Sequence, residues 1–140
     1  MKSLGLRPQF FTLSNVNSDE FVKALGEDGR GVGVAHVVPY PWRAVSPLVR
    51  EFHHVIREMP AAEAPPISYS SFEGFVAAKL LVDGLRRAGP NLTRANFAAA
   101  MEAMQEHDLG GMFIRQKGAD HTGSDFVELT MISRDGKYIR

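Results

Sequence analysis

No cysteine occurs in the 140 residues. That excludes a disulfide framework, a cysteine-based zinc site, an iron–sulfur cluster and a thiol nucleophile. There is no charge excess either, since 16 Lys and Arg stand against 16 Asp and Glu. Proteins that track nucleic-acid phosphates carry a basic surplus, so no nucleic-acid partner is expected. Long apolar runs are also missing. Stretches such as residues 97–101 are a few residues long, far below the roughly 20 needed to span a bilayer. The first eight residues contain no hydrophobic core of a secretory signal peptide.

What remains is a chain that is 44% hydrophobic with one tryptophan, a length suited to one compact domain. Residues 9–13 (Gln-Phe-Phe-Thr-Leu) read as a strand. Asn17 or Ser18 then caps a helix, with Asp19 and Glu20 in its first turn and Gly26 at its stop. Residues 31–38 (Gly-Val-Gly-Val-Ala-His-Val-Val) are apolar at nearly every position, the pattern of a strand covered on both sides as in a parallel sheet. Pro39 and Pro41 end it by removing two ladder donors.

Three helices follow. Ser46 caps the first with Pro47 at its first position, and Leu48, Phe52, Val55, Ile56 and Met59 form its stripe. Ser70 and Glu73 form a capping box for the second. The second helix is apolar over most of its circumference, and Gly74 and Gly84 suit a close approach to a sheet. Thr93 caps the third, whose Phe97, Met101 and Met104 share a face; this also accounts for Thr93 in the glycosylation sequon that begins at Asn91. After Gly110 and Gly111 the period changes to two. Residues 112–115 read as a short strand and 118–124 as a polar loop. Residues 126–132 alternate, with Glu128 and Thr130 on one side and Val127, Leu129 and Met131 on the other; Asp135-Gly136 signals a primed hairpin turn.

Few residues invite chemistry. The glycines at 26, 29, 31 and 33 follow a helix and precede a strand, the reverse of the strand–loop–helix order that cradles a phosphate. His53, His54, Glu51 and Glu58 share a helix, but no third ligand stands at a recognisable spacing, and the pattern suits a solvated face. No nucleophile elbow occurs, so neither enzymatic activity nor a cofactor is expected. Tyr40, Trp42 and Tyr69 are the candidates for contact with an apolar ligand. They lie in loops at the ends of a buried-type strand and helix, where α/β folds hold ligands, although core-edge packing also explains them.

An ordered set of segments carries a resemblance. Gly-Leu-Arg-Pro-Gln-Phe-Phe (5–11), Gly-Arg-Gly-Val-Gly-Val (29–34) and Val-Val-Pro-Tyr-Pro (37–41) come first. Ser-Phe-Glu-Gly-Phe-Val-Ala-Ala-Lys (71–79), Gly-Leu-Arg-Arg-Ala-Gly (84–89) and Leu-Thr-Arg-Ala-Asn-Phe (92–97) follow. Asp-Leu-Gly-Gly (108–111) and Phe-Val-Glu-Leu-Thr-Met-Ile (126–132) close the series. The whole resembles the C-terminal part of type I periplasmic solute-binding proteins of the branched-chain amino-acid class, the ligand-binding receptors of ABC importers.

The resemblance implies a partial α/β architecture: a βαβ unit, three helices, then C-terminal strands and a hairpin. Residues 1–28 and 126–140 would belong to the second of two lobes and 34–109 to the first, with crossovers at 29–33 and 110–125. Tyr69 and Phe72, at the start of the second helix, would contribute side-chain-pocket contacts to an amino acid or an aromatic or aliphatic acid. The polar contacts to the ligand come, in the family, from segments upstream of Met1. The expected function is therefore a truncated importer subunit, periplasmic by resemblance, not competent to bind alone, and partnered in full length by an ABC permease. Met1 would be an internal start or the start of a shortened gene. The few strands also imply a homo-oligomer, with exchanged segments. The alternative is a free-standing α/β dimeric module for interaction or ligand sensing.

Overall fold

A computed structural model describes residues 5, 8–14, 19–115 and 123–140. The capping positions Asn17 and Ser18, and 118–122 of the polar loop, lie outside the described residues. The chain forms two compact units, Met1–His36 with Val127–Arg140, and Val37–Phe126.

The first unit is built on a sheet of order β1-β2-β5-β6. Its strands are β1 (Phe11–Leu13), β2 (Gly33–His36), β5 (Glu128–Ile132) and β6 (Tyr138–Ile139). Helix α1 (Asp19–Leu25) connects the parallel pair β1 and β2, whereas β2–β5 and β5–β6 are antiparallel. The strand expected to open the first lobe thus lies in one sheet with β1 and β5, and the chain leaves this unit between His36 and Val37. Gly26 does not stop the helix cleanly, because a single 3-10 turn, Gly26–Gly29, continues from it. That turn lies over Ile132: a Cβ on Gly29 would sit 3.8 Å from the Ile132 Cγ2. The face carrying Val34, His36, Thr130, Ile132 and Tyr138 is buried. On the opposite face Leu129 and Met131 are exposed.

The β5–β6 turn differs from expectation. A type I′ turn needs positive φ at both central residues, and no described non-glycine residue has one. Instead the Gly136 amide donates to Ser133 O and Gly136 adopts φ 73°. Three residues, Arg134 to Gly136, make the turn.

The second unit contains α2 (Pro47–Glu58), α3 (Tyr69–Ala88), α4 (Arg94–Glu102) and a small hairpin, β3 (His107–Asp108) with β4 (Phe113–Ile114). Strand β3 was not visible in the sequence, being two polar residues long. Ser46 caps α2 as expected, its hydroxyl accepting from the Val49 amide at 3.3 Å. Leu48, Val49 and Phe52 are buried, but Val55 of the expected stripe is exposed. The α3 cap lies two residues earlier than expected, at Ser68. Its hydroxyl accepts from the Ser71 amide at 3.1 Å, and the Ser71 hydroxyl accepts from the Ser68 amide at 3.0 Å. Four consecutive residues, Ser-Tyr-Ser-Ser, offer several starts; the earlier one puts Tyr69 in the first turn, where it is buried.

Helix α3 is not enclosed over most of its circumference: Leu81, Val82 and Leu85 are exposed. Nor do its glycines meet a sheet. A Cβ on Gly74 would meet nothing within 4 Å, whereas one on Gly84 would lie 2.5 Å from the Met101 Sδ and 2.9 Å from the Phe97 ring. Gly84 therefore permits helix–helix approach of α4. Thr93 caps α4 as expected, accepting from the Asn96 amide at 3.1 Å.

Candidate ligand-binding site

Tyr40 and Trp42 leave the chain in a loop stiffened by Pro39 and Pro41. The loop is anchored to α2 by the His53 ring, whose Nε2–H donates to the Pro41 carbonyl at 2.7 Å. Tyr69 comes from the first turn of α3, placed there by the Ser68 cap. The three rings converge. Tyr40 and Trp42 lie 5.0 Å apart between centroids, Trp42 and Tyr69 5.3 Å at 83°, and Tyr40 and Tyr69 6.3 Å at 82°. Such spacings and edge-on angles are those favoured by aromatic quadrupoles, each pair stabilised by about 1 kcal/mol beyond burial.

Exposure grades across the trio. Tyr69 is buried, Tyr40 half-buried, and Trp42 is 37% exposed. Trp42 therefore presents ring surface outward from a fixed base. Phe72 is held differently, fully buried with its centroid 5.0 Å from Phe52 and its ring nearly parallel to Phe75 at 6.3 Å. The structure thus brings Tyr40, Trp42 and Tyr69 together and keeps Phe72 in the contact between α2 and α3.

The His and carboxylate residues weighed as ligands do not assemble. His54 and Glu58 approach to 3.9 Å on an exposed surface, and no group of three His, Asp or Glu capable of holding a metal occurs among the described residues. An open groove of about 530 Å³ in the first unit runs between the end of α1 and the β5–β6 turn; Lys23, Glu27, Arg134 and Asp135 line it with both signs of charge.

Two polar contacts escaped the sequence reading. His36 is fully buried in β2 and hydrogen-bonds the Thr130 hydroxyl through Nε2 at 2.8 Å, with Tyr138 edge-on to its ring at 5.4 Å. Burial lowers its pKa to about 4. The lone polar residue inside an apolar run was the available signal. Asp83, which the sequence suggests is helix surface, accepts from the His107 Nε2–H at 2.9 Å, while the Arg87 guanidinium reaches the His107 Nδ1 at 3.4 Å. This pair fastens β3 to α3, and its residues are too far apart in sequence to be paired by pattern.

A sequence profile described as "Periplasmic binding protein" matches residues 1–137. A substrate-binding periplasmic protein from Ralstonia solanacearum is 32% identical, with TM-score 0.83 over 99% of this chain and 39% of its own. A possible leucine/isoleucine/valine-binding protein from Rhodopirellula baltica is 28% identical, also with TM-score 0.83, over 99% of this chain and 37% of its own. A branched-chain amino-acid ABC transporter protein from Thermus thermophilus, solved with bound valine, shares the fold at 19% identity and TM-score 0.72. No functionally curated protein sequence matches. The chain spans about two-fifths of the length of these solved relatives, 37–39%. The family is one of binding proteins and not of enzymes. The ordered sequence segments, the α/β architecture and the match over residues 1–137 agree: this chain belongs to the periplasmic binding protein family.

Proposed function

We propose that this chain is a partial solute-binding component of an ABC importer for branched-chain amino acids or related small acids, acting in the periplasm and handing its ligand to a permease. The observation that carries this reading is the match along nearly the whole chain to proteins more than twice as long. Within it, Tyr40, Trp42 and Tyr69 supply apolar contacts to the ligand's side chain, with Trp42 as the outermost ring. Phe72 packs α3 against α2 through Phe52 and is not one of the contacting rings. By the family resemblance, the groups that hold the ligand's carboxylate and ammonium come from segments other than those around this trio.

The reading is tested by calorimetric titration of the 140-residue chain with leucine, isoleucine, valine, phenylalanine and benzoate. It predicts no micromolar binding. A ligand bound at micromolar strength by the chain alone would show a complete site and overturn the incomplete-site reading.

A further inference from the structure

Pro41 has no amide to donate, so its carbonyl is the one backbone group by which it can be tied. Pro41 is buried, and that carbonyl takes its hydrogen bond from the Nε2–H of His53 on α2 at 2.7 Å. His53 is half-buried, whereas the adjacent His54 is exposed. The histidine pair expected on a solvated face is thus divided. The residues before His53 hold a second element. The Phe52 ring lies 5.0 Å from Phe72 of α3, and the Glu51 carboxylate accepts from the Lys79 Nζ of α3 at 3.0 Å. Three consecutive residues of α2 therefore hold both α3, with Tyr69 in its first turn, and the loop that carries Tyr40 and Trp42.

We propose that His53 is a positioning residue of this site: without touching a ligand, it sets where Trp42 stands against Tyr69. This role presupposes the reading of the three rings as the ligand's apolar contact. The prolines fix φ at 39 and 41 and restrict Tyr40 between them, but they leave ψ of Pro41 and both angles of Trp42 free. The Pro41 carbonyl turns with that ψ, so the His53 bond fixes the angle that the proline ring does not. Ring pairs keep their attraction only between about 4.5 and 7 Å. Trp42 stands 5.3 Å from Tyr69, so a swing of about 2 Å dissolves their contact. A group that binds a ligand must be held within about 0.5 Å of its working position. The rings do not secure this by themselves. A buried carbonyl left without its donor costs as much as the two loop-to-Tyr69 ring contacts contribute, so those contacts no longer hold the loop once the donor is gone.

The protein has one tryptophan, so near-UV circular dichroism and acrylamide quenching of its fluorescence read the place of Trp42 without any ligand. His53→Gln keeps an N–H at the reach of Nε2, whereas the shorter His53→Asn does not. His54→Asn makes the same change at the next, exposed position. His53→Asn is expected to lose about half of the tryptophan near-UV signal and to raise quenching about twofold, with the far-UV signal retained. His53→Gln and His54→Asn should match the unsubstituted chain. The chain joined to the remaining portion of the Ralstonia relative is then titrated with leucine, isoleucine, valine, phenylalanine and benzoate. His53→Asn should weaken the binding seen there about tenfold, one hydrogen bond's worth, and His53→Gln should restore it. Unchanged spectra in His53→Asn, the same loss in His53→Gln or His54→Asn, or a collapse of the far-UV signal would each overturn the proposal. So would a chimera whose affinity falls with Trp42→Ala but not with His53→Asn. A chimera that binds none of these ligands contradicts the ligand reading of the rings, and the spectra then decide the role of His53 by themselves.

Discussion

The carbonyl oxygen of Gly110 accepts a hydrogen bond from the backbone amide of Leu48 at 3.0 Å. The turn after β3 thereby closes on the first turn of α2, satisfying one of the amides that every helix N-terminus leaves without a partner. Asp108 shapes that turn. Its Oδ1 accepts from the amides of Gly110 at 2.8 Å and Gly111 at 2.6 Å, and these two bonds hold its carboxyl below the usual value. The Gly-Gly pair that marks a change of period in the sequence is thus a cap for a helix about sixty residues earlier.

Gly110→Ala tests this closure. Gly110 adopts φ 108°, and a Cβ there would lie 2.9 Å from the Leu48 nitrogen, a backbone atom with little room to move. The expected loss is about 3 kcal/mol or more in urea denaturation. Gly26→Ala, also at positive φ but with nothing within 4 Å of its Cβ, should cost only about 1 kcal/mol. Equal losses would remove the steric argument.

His36 makes stability depend on acid. Its folded pKa is about 4 against an ordinary 6.5, so between those values the unfolded chain binds the proton and the folded chain does not. Stability from this group is present above pH 6.5 and declines as pH falls toward 4, by up to about 3 kcal/mol at 1.36 kcal/mol per unit of pKa difference. Chemical denaturation from pH 7 to 4.5 should show that decline. His36→Gln, which keeps a polar end within reach of Thr130, should flatten the histidine part of it. An unchanged slope in the variant would show that the acid sensitivity lies elsewhere.

The start of α3 offers a sharper comparison. Ser68→Ala removes a reciprocal cap and should destabilise by about 1 kcal/mol. Glu73→Ala changes an exposed position inside the helix and should stay within about 0.5 kcal/mol. The opposite ranking would restore the cap at Ser70.

Those two positions also show how far the sequence could be read. Periodicity located α2, α3 and α4, and the caps Ser46 and Thr93 stand where their side chains predict. The α3 cap slipped because a serine-rich entry offers alternative starts, and burial of Tyr69 decides between them. Alternation in β5 likewise revealed which residues share a face, but not which face is covered. Thr130 points inward with Ile132 while Leu129 and Met131 face outward, because cover depends on where α1 and its 3-10 turn pack. Of the aromatic candidates, the loop positions of Tyr40 and Trp42 were legible. Their convergence on Tyr69 was not, since it depends on how the loop is tied to α2 by His53. The partial length of the fold was legible only through the ordered family segments.

The central claim is that this chain supplies one part of a solute-binding protein's ligand site. It is tested most directly by joining residues 1–137 to the remaining portion of the Ralstonia relative and titrating the chimera calorimetrically with branched-chain and aromatic acids. The account predicts micromolar binding by the chimera, weakened at least tenfold by Trp42→Ala, and none by the chain alone. A folded chimera that binds none of these ligands, or binds them equally well without the Trp42 ring, would contradict it.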